Sequence, residues 1–436
     1  KRMRNRRRRH PRDELIMGAS RRVWAFDNTK VESFTRYQPW HILLLIKWTY
    51  TYGDWSPGNQ RPLSQNDFNQ IMNLFADLHS AMPEPVSAYI LIRTHAYQQF
   101  WLQEDYSVLR LARQSLLFGN LDPNHRFRSI FREKAGLDIE RFLELELALM
   151  AKYVSLPDPI IAEKWFSTMQ DPVHPDDISA FLRILSHDLE DLQGFFADCG
   201  RQQHRDIQFE YYERTPLIKS PLAKIGTNYY CICKHILFHR LENIIYDVLR
   251  DSDPATFMNR FGSIFENYVR SRLSALKCKI TDENSLREAL GADAKVVDFV
   301  IHQSKANIFI DAKGVEMAYV GMVSDDPGTI KQKTKDSVIK GITQGYAVAS
   351  SLAQKQKSTG PLRARAENYL LIITFKEMYL GNGRDFYENV AKEKLDRIVR
   401  TYGNKNWIAF ENIYFLSIDE FDLLIETATK ARHGLL

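Results

Sequence analysis

The spacing of hydrophobic positions changes along the chain. From about Arg12 to Ala197 they recur at helical spacing, as in "LSQNDFNQIMNLFADLHSAM", where Phe68, Ile71, Met72, Leu74 and Phe75 form a stripe. Ser64, with Asp67 three residues on, makes the matching helix-start signature. "HPDDISAFLRILSHDLEDLQGFF" repeats the logic, with Asp176 or Asp177 as predicted cap and Ile178, Phe181, Leu182, Leu185, Leu189 and Leu192 as the buried face. Past residue 206 the pattern mixes. Two short strand-like runs around Pro and Gly lead into a helix, a long helix is predicted over Pro254–Leu276, and strands follow at "KCKI", "VVDFVI" and "NIFIDAK". A helix over about Thr329–Leu352 and strands at "NYLLIITF" and "NIYFLSI" complete the pattern.

The expected fold is therefore α+β overall: a mainly α-helical N-terminal half followed by a C-terminal α/β domain with a central mixed sheet. The expected divisions are a basic arm over 1–11, a helical domain over 12–205, a strand and helix connector over 206–253, and an α/β domain over 254–436. No internal repeat points to a solenoid.

Composition sharpens this picture in three ways. At 436 residues, 44% hydrophobic and 26% charged, the chain has the composition of a globular protein too long for one ordinary core. The longest apolar run in the N-terminal part, "ILLLI", falls far short of the roughly 20 residues that cross a bilayer. No apolar signal segment follows the basic start, and four irregularly spaced cysteines do not make a secreted disulfide framework. No membrane association and a reducing, cytoplasmic location are expected. The sequence opens on Lys1 rather than Met, as a truncated or processed product would.

The net charge of +5 resides in "KRMRNRRRR", since without its seven basic residues the 59 cations no longer outnumber the 54 acids. A solvated arm is the expectation, with phosphates, an acidic partner or a transport receptor as possible contacts. Six of the seven tryptophans (Trp24, Trp40, Trp48, Trp55, Trp101, Trp165) fall in the helical half, where they are expected to anchor its core.

Candidate chemistry lies in "VVDFVIHQSKANIFIDAKG". If its two strands form a hairpin turning at Ser304 and Lys305, Asp298 lies directly across from Asp311 on one face. Lys313 then joins that face, and Val297, Phe299, Ile301, Ile308 and Ile310 point to the other. A three-residue loop would instead pair Asp298 with Ala312 and scatter the acids. Facing carboxylates repel one another, and a divalent cation with hard oxygen preference, Mg²⁺ above all, relieves that repulsion. Such a metal suits phosphodiester hydrolysis, and a neighbouring lysine can stabilise the developing charge or orient the water.

Asp298, followed a dozen residues later by Asp311-Ala312-Lys313, resembles the PD-(D/E)XK nuclease superfamily. The resemblance covers about Pro254 to Leu424 and implies a restriction-endonuclease-like core of order α-β-β-β-α-β. It implies Mg²⁺, with Mn²⁺ as a substitute, bound by Asp298 and Asp311, with the Ala312 carbonyl as a further ligand and Lys313 assisting catalysis. It also implies a glutamate on the preceding helix, for which "RFGSIFENYVRSRL" offers Glu266, beside the small Gly262 and Ser263. Glu266 would complete the metal shell or orient water; the alternative is a surface glutamate paired with Arg270 at i+4. In "DSVIKGITQGYAVASSLAQ", Lys340 and Gln344 are similar to the helix motif of RecB-like members, although Tyr346 follows two residues later rather than four. Val297 departs from the motif's proline.

The function these residues imply is a Mg²⁺-dependent, phosphodiester-hydrolysing nuclease, a DNA endonuclease first. A helical partner domain without its own motor resembles effectors of bacterial anti-phage or restriction systems, with DNA repair the alternative. A helical half of this kind has room for a protein partner or activator. The competing class is a catalytically silent scaffold that keeps the nuclease fold to bind nucleic acid or protein. Lys331, Lys333, Lys335 and Lys340, with Lys355 and Lys357, offer a phosphate track or a solvated helix edge. Arg126, Arg128, Arg132 and Lys134 read first as a solvated face. "YYCICKHILFHRL" does not carry a usual zinc spacing, and its Cys231 and Cys233 are expected to share one strand face as buried thiols. Neither a phosphate-binding G-x-x-x-x-G-K-[ST] loop nor a G-x-S-x-G motif occurs.

Overall fold

The structure, a computed structural model, describes residues 38–54, 64–81, 87–103, 106–155, 158–169, 173–201, 207–354 and 362–431. The arm 1–11, Trp24, Trp55, Lys355 and Lys357 lie outside the described residues. The chain is α+β with two mixed sheets. It forms two compact units, one from 1–84 with 95–252 and the other from 85–94 with 253–436. Among the described residues, no helix is long and apolar enough to cross a membrane.

The first unit is helical with a small sheet. Its Gln65–Ala81 helix starts as its sequence predicts: the Asp67 amide donates to Ser64 Oγ, and the Ser64 amide donates to Asp67 Oδ2, both at 3.1 Å. Phe68, Met72 and Phe75 are buried, whereas Leu74 faces solvent, so the apolar stripe is narrower than expected. The helix expected to run on from Asp177 is broken. Its first part is Pro175–Leu185, capped by His174 rather than by either aspartate, and a second helix covers Leu192–Arg201. Between them lies a short strand. The unit's sheet joins β1 (Ile160–Ala162), β2 (Ser186–Asp188), β3 (Leu222–Ile225) and β4 (Asn228–Cys231) in the order β1-β4-β3-β2. Segment 206–253, expected as a connector, thus supplies half of this sheet and clusters with the first unit.

Trp101 is buried in the core, with Trp40 and Trp48 packed against it. Cys231 ends β4, and Cys233 caps the next helix instead of continuing a strand. Both thiols are buried, and burial pushes Cys233 up to about 11.

The second unit is built on a five-stranded sheet of order β5-β6-β7-β8-β9: β5 (Lys279–Asp282), β6 (Phe299–His302), β7 (Ala306–Lys313), β8 (Glu367–Thr374) and β9 (Ile413–Ser417). β5, β6 and β7 pair antiparallel, and β7, β8 and β9 pair parallel. The helices placed around this sheet are α1 (Pro254–Leu273), α2 (Glu283–Leu290), α3 (Lys340–Gln354), α4 (Lys392–Thr401) and α5 (Ile418–Ala431). α1 begins at Asp253, whose carboxylate accepts from the Thr256 amide at 3.1 Å, with Pro254 in its first turn. Phe257, Phe261 and Phe265 line its buried stripe, each contributing on the order of 2 kcal/mol by burial. Phe261 and Phe265 pack on Phe375 just past β8.

The predicted helix over Thr329–Leu352 divides into Pro327–Lys333, a wider turn at Lys335–Ile339, and α3. Parallel strands need crossovers, and α3 and α4 supply them from β7 to β8 and from β8 to β9. Val297, Phe299, Ile301, Ile308 and Ile310 are buried, as the alternation predicts. The opposite face of β7 is buried too, because α3 lies on it: Cβ atoms added at Gly341 and Gly345 would meet Ile372 and Leu370 of β8 at 3.0 Å. Asp311 therefore lies under a helix, while Asp298 stays half-buried.

Candidate active site

The hairpin decides where the two aspartates stand. Phe299 pairs with Ile310 and His302 with Asn307, and the Gln303 amide donates to the Ala306 carbonyl at 3.0 Å, so the chain turns at Ser304 and Lys305. One further step in this register sets Asp298, just before β6, across from Asp311. Asp298 Oδ2 accepts the Ala312 N–H at 2.6 Å, so the side chain carries on the interstrand bonding where the strand has ended. It is the N–H of Ala312, the residue expected to offer its carbonyl to a metal, that makes this contact.

Asp311 is fully buried. Its Oδ2 forms an ion pair with Lys313 Nζ at 2.7 Å, and its Oδ1 has no hydrogen-bond partner among the described residues. Lys313 Nζ also donates to Gln344 Oε1 at 3.2 Å, and Gln344 Nε2 donates to the Val296 carbonyl at 2.6 Å. Gln344, reaching down from α3, thus ties the lysine to the segment that carries Asp298.

Electrostatics follow from this burial. Loss of solvent and the facing Asp311 charge push Asp298 up to about 7, opposed by Lys313 and the Ala312 N–H. Asp311 is also raised, by burial first, with Lys313 and Lys340 pulling the other way. Two carboxyls that resist ionisation side by side have a strong incentive to share a cation.

Glu266 extends from α1. It pairs with Arg270 at 2.9 Å, as the surface alternative expects, and it also belongs to a cluster with Asp298. Among the described residues, Glu266, Glu283 and Asp298 form the one group whose potential ligand oxygens all lie within 4.8 Å of one another. Glu283, the first residue of α2, was not singled out by the sequence pattern. Its signal is an acid behind a capping Asp282, an ordinary helix start, and only folding carries it to Asp298. Gly341 was missed for the same reason: a Cβ there would approach Asp311 Oδ2 to 2.5 Å.

Lys331, Lys333, Lys335 and Lys340 are exposed. Tyr346, the displaced tyrosine of the helix motif, is buried and donates to the Ile408 carbonyl at 2.7 Å, which gives it a packing role. Comparison with protein-family models, with curated proteins and with solved structures returned no match for this chain.

Proposed function

We propose that the second unit is a metal-dependent nuclease of the PD-(D/E)XK kind, with a restriction-endonuclease-like core, acting on DNA. The observation that carries this reading is Asp298 held across from a fully buried Asp311, whose partner Lys313 shares its face. The element order α1-β5-β6-β7-α3-β8 supports it, with α2 inserted between β5 and β6.

Asp298, Asp311 and Glu266 would hold Mg²⁺, or Mn²⁺ in its place. Their oxygens are hard donors, and Asp311 Oδ1, buried without a hydrogen-bond partner, fits such an ion. When bound, the ion supplies Lewis acidity and an activated water. The chain's own residues do the rest. Ala312 N–H fixes Asp298, Gln344 fixes Lys313, and the lysine's charge sits where it opposes negative charge developing on a scissile phosphate. The exposed lysines before α3 attract the phosphate backbone. The first unit would recognise or regulate, and a role in anti-phage defence rests on fold-level association alone.

The test is incubation with supercoiled plasmid, linear duplex, single-stranded DNA and RNA in Mg²⁺, Mn²⁺ or EDTA, beside Asp311→Ala and Lys313→Ala. Metal-dependent cutting by the wild type that both variants lose supports the nuclease. If the wild type cuts no polymer and binds no divalent ion in a calorimetric titration, the silent scaffold replaces it.

A further inference from the structure

In the first unit the helices Arg126–Ala135 and Ile244–Ser252 pack together, and beside them lies a cleft of about 390 Å³, a size common for small-molecule sites. Ile184 and Val248 give the cleft an apolar wall, and Lys134, Arg240, Asp251 and Ser252 give it polar groups. Asp251 is held by Arg250 Nη2 at 2.8 Å, and the Ser252 hydroxyl donates to the Val248 carbonyl at 2.6 Å. Lys134 pairs with Glu133 at 3.1 Å at the surface, where such a pair is weak.

Arg240 is the group left short of partners. It is 7% exposed, and its Nη1 reaches Asp247 Oδ2 at 3.1 Å, but its Nε has no hydrogen-bond partner among the described residues. Asp247 does not belong to Arg240 alone, because Arg250 reaches the same carboxylate at 3.4 Å. Burial draws the Arg240 guanidinium below the ordinary arginine value, against the pull of Asp247 and Asp251. A buried cation with a donor left over is costly unless an acceptor completes it. Around the cleft, Lys134, Arg240, Arg250 and Lys219 stand against Glu133, Asp247 and Asp251, so one positive charge remains unmatched.

We infer that this cleft binds a phosphate group, free or carried by a small molecule, with Arg240 Nε and Lys134 Nζ as its donors. A tetrahedral oxyanion presents oxygens in several directions, which suits two cations that stand on separate helices, Lys234–Leu241 and Arg126–Ala135. The volume leaves room for a body of sugar size beside the phosphate, against Ile184 and Val248. The inference concerns the first unit alone and does not depend on the nuclease reading.

The experiment is calorimetric titration of the full chain with inorganic phosphate and with ribose 5-phosphate, at constant ionic strength. EDTA is present, so that no divalent ion in the second unit takes up phosphate. Wild type is compared with Arg240→Lys, Lys134→Gln and, as control, Lys164→Gln. Lys164 is an exposed lysine of the same unit that does not line the cleft, so it reports lost surface charge alone. The wild type is expected to bind one phosphate per chain saturably. Arg240→Lys keeps the charge but removes Nε; it and Lys134→Gln should each bind roughly tenfold more weakly or worse, while Lys164→Gln behaves as wild type. Ribose 5-phosphate bound at least tenfold tighter than phosphate assigns an organic phosphate, and equal affinity assigns the free ion. Melting without ligand verifies that each variant folds, and Lys134→Gln, which alters no buried group, decides alone if Arg240→Lys does not fold. Absence of saturable binding of both probes overturns the inference, as does an equal loss in Lys164→Gln or full affinity in Lys134→Gln.

Discussion

Gly341 stands so close over Asp311 that a methyl group on its Cα would come within 2.5 Å of the carboxylate Oδ2. Asp311 is fully buried and held by Lys313, so the carboxylate has little room to yield. Gly341→Ala is therefore expected to displace Asp311 and to lower metal-dependent cutting by more than tenfold. Overpacking costs about 1–3 kcal/mol, part of which the better helix propensity of alanine offsets. Thermal melting and single-turnover cleavage measured together check this: normal cutting in a well-folded Gly341→Ala protein would remove Asp311 from the site.

Asp298 makes the metal-free protein sensitive to pH. Its folded value of about 7 lies above the ordinary 3.8, so between those values the folded chain holds a proton that the unfolded chain has released. Stability is then fully present below about pH 4 and is lost as pH rises through about 7. In EDTA the protein should melt at a higher temperature at pH 5.5 than at pH 8, and Asp298→Asn should reduce the difference. The reduction is partial because Glu377, raised to about 8 by loss of solvent and then by the neighbouring Glu420, titrates in the same direction. An identical pH slope in Asp298→Asn would assign the whole effect elsewhere.

Gln344 accepts a hydrogen bond from Lys313, and its expected role at the proposed site is to position that lysine. Gln344→Ala removes an acceptor at 3.2 Å from Nζ and a donor to the Val296 carbonyl, leaving the lysine to Asp311 alone. Cutting is expected to fall by roughly 10- to 100-fold, with kcat affected more than KM, as for supporting residues in other metal sites. Gln344→Glu should be worse, since it adds a third negative charge beside Asp298 and Asp311. A kinetic comparison of the two variants decides, and equal activity of both with wild type would reduce Gln344 to a packing residue.

The brace between α1 and α5 is expected to be structural only. Asp422 accepts from Tyr268 Oη at 2.8 Å and from Arg272 Nε at 2.9 Å. Asp422→Ala leaves the tyrosine hydroxyl without that bond and should cost about 1–3 kcal/mol, read as a lower denaturation midpoint. Mn²⁺ affinity should not change, and a change in affinity would mean that α1 reports its position to Glu266.

Periodicity alone located most of the second unit. The last three strands fall where alternating or continuous apolar runs predict them, whereas β5 starts two residues later than "KCKI" and β6 starts only at Phe299, which leaves Asp298 just outside it. Of the two registers open to the hairpin, the structure takes the one with a two-residue turn at Ser304 and Lys305. Asp298, Asp311 and Lys313 were legible because strand alternation is a strict period of two, so three residue numbers suffice to place three side chains on one face. Local rules also served the Ser64 cap, where both partners lie within four residues. They failed at Leu185, where helical spacing continues but the chain turns into β2, whose parallel partner β3 lies more than thirty residues on. A pairing of that kind leaves no trace in a local pattern.

The sequence by itself thus determined the two strands of the hairpin and, for a two-residue turn, the shared face of the two aspartates and their lysine, because these depend on neighbours along one strand or across one turn; the structure decided for that register over the three-residue loop. Only the tertiary structure decided that Glu283 joins Glu266 at Asp298, that Gln344 holds Lys313, and that Gly341 must lack a side chain above Asp311. Each of those relations joins elements distant in sequence. Their distances are set by how helices pack on the sheet, which no spacing along the chain encodes.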